Sequence, residues 1–187
     1  MNFQKKNNRF KVVISVGDES GIGPEIILKA LSSNEIPKNI DFILVGSKKN
    51  LQNTYKFLRS LGLENLANPK SFKIHDLEIS SSNKNQKSSY GDSSFQYLVK
   101  AIEIVKQFPN SALVTGPICK KSWSLAGHYF SGQTEVLAKA CGVKNVGMLF
   151  TARSPFTDWR FNTLLACLLY TSPSPRDISG SRMPSSA

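Results

Sequence analysis

Three short loops carry the side chains of this chain whose types and spacing could do chemistry. The first, Gly17-Asp18-Glu19-Ser20-Gly21-Ile22-Gly23, follows the apolar run Val12–Val16 and leads into Pro24-Glu25. A strand, a glycine-rich loop and a helix start in that order can turn backbone N–H groups toward an anion. The same residues also suit a tight turn in which glycine supplies positive φ. The spacing of Gly17, Gly21 and Gly23 is neither that of a dinucleotide fingerprint nor that of a P-loop. The second loop, Thr115-Gly116-Pro117, leads to Lys120. A lysine there can hold a phosphate as a point charge, or can simply be a solvated residue at a helix start. The third, Gly132-Gln133-Thr134-Glu135, opens a helix. Thr134 could cap it and Glu135 favours its N-terminus. Gln133 and Thr134 could equally donate hydrogen bonds to a bound phosphate or carboxylate.

The elements that must position these loops alternate. Val12–Val16, Ile40–Val45, Phe72–Ile79, Ala112–Val114, Val146–Phe150 and Phe161–Leu165 read as strands. Pro24 suits the first turn of a helix whose apolar face is Ile26, Ile27, Ala30 and Leu31. Leu51–Leu61, Phe95–Phe108 and Gln133–Cys141 read as further helices, and Ser80–Ser89 as a polar, mobile low-complexity segment. Strands alternating with helices predict an α/β fold with a largely parallel sheet. In such sheets ligands bind beyond the C-terminal ends of the strands, where the first two loops fall.

Composition narrows the function classes. Lys and Arg total 24 against 13 acidic residues, a net charge of +11. The lysines are scattered, and no nucleic-acid-binding motif accompanies them, so a nucleic-acid partner is not expected. No run of apolar residues is long enough for a membrane helix, and no signal core follows the polar start, so the expected location is cytoplasmic. Cys119, Cys141 and Cys167 lack metal-ligand or disulfide spacing. His75 and His128 read as surface or loop residues rather than ligands.

Taken in order, GDESGIGPE, TGPICK and AGHYFSGQTE resemble the motifs of the 4-phosphohydroxy-L-threonine dehydrogenase family of pyridoxal phosphate biosynthesis. That family reads GDPxGIGPE, T(G/A)PxxK and AGxxFxGHTE. The resemblance covers Phe10 to Ala166. Two positions depart from it: Glu19 stands for the usual Pro, and Gln133 for the usual His. Gln keeps a donor and an acceptor but carries no charge.

The resemblance implies an isocitrate/isopropylmalate dehydrogenase-like fold of two α/β domains, completed as a homodimer and truncated here to about its N-terminal half. Residues 1–125 would belong to the first domain and 126–166 to the start of the second. It implies oxidation of 4-phosphohydroxy-L-threonine by NAD or NADP, with decarboxylation to 3-amino-2-oxopropyl phosphate. A divalent metal (zinc, magnesium or cobalt) would be held by three histidines, none of which matches a residue here. Gln133 and Thr134 match the substrate-binding pair. Lys120, Asp18, Gly21, Gly23 and Glu25 match motif positions; Lys120 is counted with the substrate-binding residues, and the resemblance fixes no role for the other four. No residue present is expected to act as catalytic acid or base. A paralogue acting on 4-phosphoerythronate or a threonate phosphate is the alternative, and the chain by itself is expected to be inactive.

The last segment, residues 167–187, differs in character. CLLYTSPSPRD back-translates into a transposase-type sequencing adapter, and SRMPSSA into the flow-cell end of the same adapter. The segment is therefore expected to be adapter-derived. Resequencing the source DNA should return the adapter verbatim at these codons; any other codons there would contradict this reading.

Overall fold

The computed structural model describes residues 9–37, 39–77 and 86–166. The tail from 167 and most of the low-complexity segment, 80–85, lie outside these residues. By its internal contacts the chain divides into two compact units, Met1–Phe130 and Ser131–Ala187.

The first unit holds β1 (Phe10–Ser15), α1 (Gly23–Ala30), β2 (Ile40–Gly46), α2 (Lys48–Ser60), β3 (Lys73–Asp76), α3 (Gln86–Lys106), β4 (Ser111–Thr115) and α4 (Lys120–Leu125). Its sheet is wholly parallel, in the order β3-β2-β1-β4. Apolar runs at the centre of a sheet mean burial on both faces. Alternate residues supply two cores. Val13, Ile43 and Val45 face one way and pack with Tyr97, Ala101 and Ile104 of α3. Ile14, Val16 and Leu44 face the other way and pack with Ile27 and Leu28 of α1 and Leu51 of α2. Ser47 caps α2 by accepting from the Asn50 N–H at 3.1 Å.

Several expectations are corrected. The buried face of α1 is Gly23, Pro24, Ile27 and Leu28, whereas Ile26 is 41% exposed and Ala30 faces solvent. The sheet lies along the line of Ile27 and Leu28, one residue round the helix from the face read in the sequence. Residues 86–89, read as part of a mobile segment, form the first turn of α3, which starts nine residues before Phe95. Serine and glycine disfavour helix interiors, but here they are buried against α4. Gly91 lies so close that a Cβ on it would stand 2.0 Å from the Ser122 carbonyl oxygen. The Ser94 hydroxyl accepts from the Trp123 indole at 2.8 Å and donates to the Gly91 carbonyl at 3.0 Å. Ser88 donates to the Leu125 carbonyl at 3.1 Å. Tertiary packing outweighs local propensity in this half of the helix.

The second unit contains α5 (Gln133–Cys141), β5 (Gly147–Arg153) and β6 (Arg160–Ala166). The two strands pair antiparallel in a sheet of their own rather than joining the parallel one. Residues 154–159 between them are too few for the crossover a parallel pair requires. Ser154 closes the turn, donating its N–H to the Trp159 carbonyl and accepting at Oγ from the N–H groups of Phe156 and Thr157.

Replacing Gly91 by Ala is expected to lower stability by about 1–3 kcal/mol, because backbone must move to admit the methyl group. Chemical denaturation followed by Trp fluorescence measures it; an unchanged midpoint would contradict the α3–α4 packing.

Candidate functional site at the switch point of the parallel sheet

The chain builds β1, β2 and β3 outward in one direction and then crosses to place β4 on the other side of β1. The switch of direction opens between the C-terminal ends of β1 and β4, the usual ligand position in an open α/β sheet. The first two chemically suggestive loops meet there. The Asp18 N–H donates to the Pro117 carbonyl at 2.9 Å, and the Gly116 N–H to the Ser15 carbonyl at 2.7 Å.

Glycine is required at three positions in this meeting. A Cβ on Gly17, whose φ is +80°, would stand 2.3 Å from the Pro117 carbonyl oxygen. One on Gly116 would stand 2.3 Å from the Val16 carbonyl oxygen, and one on Gly23 2.4 Å from the same atom. The main chains of β1, β4 and α1 thus occupy the space that side chains would need. Gly21 is different: its φ is not left-handed, it is exposed, and a Cβ would meet only Asp18 at ordinary contact distance. Of the two readings of this loop, the tight turn holds at Gly17.

The other motif residues are placed as follows. Asp18 is buried, and its Oδ1 accepts from the Ser20 N–H at 2.9 Å and the Ser20 hydroxyl at 2.7 Å. Its carboxylate is committed to shaping the loop. Glu25 forms an exposed pair with Lys29 one turn later, at 2.5 Å, an arrangement that contributes roughly 0.3–0.5 kcal/mol. Lys120 opens α4 with its side chain exposed. Cys119, just before it, has its thiol pulled below the usual range by hydrogen bonds from the Ser122 side chain and backbone.

Gln133 and Thr134 are the first two residues of α5 in the second unit, both half-buried. Gly132, in extended conformation, is the N-cap and has no side chain with which to cap the helix. Thr134 therefore lies inside the first turn and does not cap it. Glu135 is not a simple surface charge: its Oε2 is buried with no hydrogen-bond partner among the described residues.

Sequence reasoning missed two clusters. Glu19 accepts a hydrogen bond from the Tyr97 hydroxyl of α3, and burial raises its carboxyl above the ordinary range. The phenol is raised as well, chiefly by burial and then by the carboxyl beside it. Only the departure of Glu19 from the motif hinted at this. His128, expected at the surface, is half-buried: its ring stacks on Phe95 with centroids 3.8 Å apart, and Nε2 lies 2.9 Å from Asp92 Oδ1. Nothing in local sequence signals a contact between residues so far apart in the chain.

A parallel sheet covered on both faces, with two glycine loops closing its switch point, defines an α/β protein of the open-sheet class. The family model described as pyridoxal phosphate biosynthetic protein PdxA matches residues 38–175, ending within the tail set apart above. A 4-hydroxythreonine-4-phosphate dehydrogenase of Nostoc sp. is 42% identical over 165 residues, covering 84% of this chain and 46% of that protein. A Fusobacterium nucleatum protein provisionally named D-threonate 4-phosphate dehydrogenase is 30% identical over 161 residues, covering 80% of this chain and 46% of its own length. The crystal structure of a 4-hydroxythreonine-4-phosphate dehydrogenase from Burkholderia phymatum superposes with a TM-score of 0.64 at 22% identity, over 76% of this chain and 47% of that one. The chain belongs to the PdxA family. It spans about half the length of the curated relatives it matches.

The glycines separate by substitution. Gly17→Ala and Gly116→Ala are each expected to cost several kcal/mol, combining backbone overlap with, at Gly17, an unfavourable φ. Gly21→Ala should change stability by less than about 1 kcal/mol. Denaturation midpoints of the three variants measure this, and equal costs at Gly21 and Gly116 would contradict the geometry.

Proposed function

We propose that this chain is the N-terminal part of an NAD- or NADP-dependent enzyme that oxidises 4-phosphohydroxy-L-threonine and decarboxylates the product to 3-amino-2-oxopropyl phosphate. The observation that carries the reading is the PdxA family match over 38–175, on a sheet whose switch point is built from the two glycine motifs. The nicotinamide cofactor would accept the hydride.

Within this reading the chain's own residues bind and orient. Gln133 and Thr134 form the substrate-binding pair. The Gln133 amide and the Thr134 hydroxyl are chemically able to donate to an anionic oxygen, at the start of a helix whose N-cap is a glycine. Lys120, exposed at the start of α4, supplies a point charge for phosphate.

A divalent metal does not fit the residues present. Among the described residues no group of three or more His, Cys, Asp or Glu side chains is arranged to hold an ion. His128 is engaged with Asp92 and Phe95. Zinc, magnesium or cobalt would need ligands from elsewhere in the whole protein. The free thiols of Cys119 and Cys141 suit a reducing, cytoplasmic setting. Among the described residues no helix is long and apolar enough to cross a membrane. A homodimer remains part of the proposal by family resemblance.

A second reading, a dehydrogenase for a threonate phosphate, is favoured by the Fusobacterium nucleatum relative. Reduction of NAD or NADP by the full-length protein, assayed with each substrate, separates the two. Turnover of 4-phosphohydroxy-L-threonine is expected, faster turnover of D-threonate 4-phosphate would favour the second reading, and reduction with neither would contradict both. The 187-residue chain alone should show no reduction. In the full-length protein, Gln133→Ala should raise KM about 10- to 100-fold, the loss of one hydrogen bond to a charged oxygen.

A further inference from the structure

The parallel sheet has a second opening, at the end opposite the switch point. There the starts of β1, β2 and β3 and the chain leaving α3 border a cavity of about 450 Å³. Its lining includes Lys11 of β1, Asp41 and Ile43 of β2, Ser71 and Lys73 at the start of β3, and Phe108 just after α3. From Lys11 to Val16 the rise along β1 is roughly 15 Å, so this cavity is separate from the candidate site.

Strand register puts these side chains together. In the parallel ladders Lys11 lies beside Asp41, and Lys73 beside Ile43. Cross-strand partners share a face of the sheet, and so do residues two apart on one strand. Lys11, Asp41, Ile43 and Lys73 therefore stand on one face, the face on which Ile43 packs toward α3. Phe108 packs against the same core. The cavity thus joins an apolar surface, Ile43 and Phe108, to two lysines and one carboxylate.

Charge decides what such a cavity takes. Asp41 is paired with Arg9 at 3.3 Å, so its charge is already offset. Among the described residues neither Lys11 nor Lys73 has a carboxylate within ion-pair distance. The Lys11 ammonium lies 4.9 Å from the centre of the Phe108 ring and 3.5 Å from the Arg9 carbonyl. An ammonium has three donors, and these contacts do not use them all. Lys73 is exposed at the cavity edge. The carbonyls that end α3 would oppose an anion. Those of Val105 and Phe108, however, accept from the Ser111 hydroxyl at 3.0 and 2.6 Å.

We infer that this cavity is a binding site for a phosphate monoester with a flat apolar body. Its two ammonium groups match a phosphate dianion, whereas a carboxylate would leave one of them unmatched. The Ser71 hydroxyl adds a neutral donor. Ile43 and Phe108 give the apolar body a surface to cover. The volume falls within the range of about 300–1,000 Å³ usual for small-molecule sites. The inference stands independently of the substrate proposed above, whose phosphate is assigned to Lys120 in another loop.

The test is calorimetric titration of the 187-residue chain with phenyl phosphate at low ionic strength, beside inorganic phosphate and phenol. Phenyl phosphate is expected to bind saturably and at least about tenfold tighter than either part alone, since the site engages both. Lys73→Ala should weaken it roughly 10- to 100-fold, the loss of one contact to a charged oxygen. Lys120→Ala should leave it unchanged. Weakening by Lys120→Ala but not by Lys73→Ala would move the binding to the candidate functional site and overturn the inference. Absence of saturable binding, or equal affinity for inorganic phosphate, would overturn it too. Should a variant fail to fold, amide NMR shifts of the wild-type chain locate the probe. Shifts clustered at Lys11, Asp41, Lys73 and Phe108 support the site, and shifts clustered elsewhere overturn it.

Discussion

Where β1 ends, three main chains come closer than side chains allow. Val16 lies between Gly116 on one side and Gly23 on the other, and Gly17 turns with positive φ against Pro117. Everything else at the switch point depends on this close approach. It fixes where α1 begins, because Gly23 and Pro24 are buried in its first turn. It also fixes where β4 ends, because Gly116 donates to the Ser15 carbonyl. A methyl group at any of the three would force backbone apart, and backbone in a doubly covered parallel sheet has nowhere to go.

The two cores follow from the same arrangement. With β1 central, its alternating residues feed both faces at once: Val13 toward α3, Ile14 and Val16 toward α1 and α2. α3 must then cover β1, β2 and β4 and still reach α4. It does so by changing character along its length. Its C-terminal half buries Tyr97, Ala101 and Ile104 against the strands, while its N-terminal half buries Ser88, Gly91 and Ser94 against α4. Close helix approach through small residues and hydrogen bonds replaces apolar burial in that half. Phe95 lies at the junction, edge-on to Trp123 and stacked with His128. The AGHYF stretch is thus anchored to α3 through its histidine.

Much of this was legible in residue order. β1, β2, β4 and α5 were readable because their apolar runs and stops are local, and a parallel sheet followed from the alternation of strand and helix. The beginning of α3 was not readable, since its serines and glycine look like a linker until α4 is there to cover them. The antiparallel β5–β6 pair was missed as a separate sheet, although the short connection between the strands held the information. Thr134 was read as a possible cap, but the cap position is Gly132. The Glu19–Tyr97 pair joins residues 78 positions apart, and only the assembled fold shows that the carboxyl points inward.

For function, the three loops divide their labour. The two glycine motifs chiefly hold main chain together at the switch point, with Asp18 committed to the loop it belongs to. The third loop opens α5 with Gln133 and Thr134, the pair proposed to meet substrate. In the function proposed, binding chemistry resides in GQTE, whereas GDESGIGPE provides the scaffold. A crystal structure of the full-length protein with 4-phosphohydroxy-L-threonine bound tests the division most directly. The account predicts substrate oxygens within hydrogen-bond distance of Gln133 and Thr134; substrate bound without contact to either residue would contradict it.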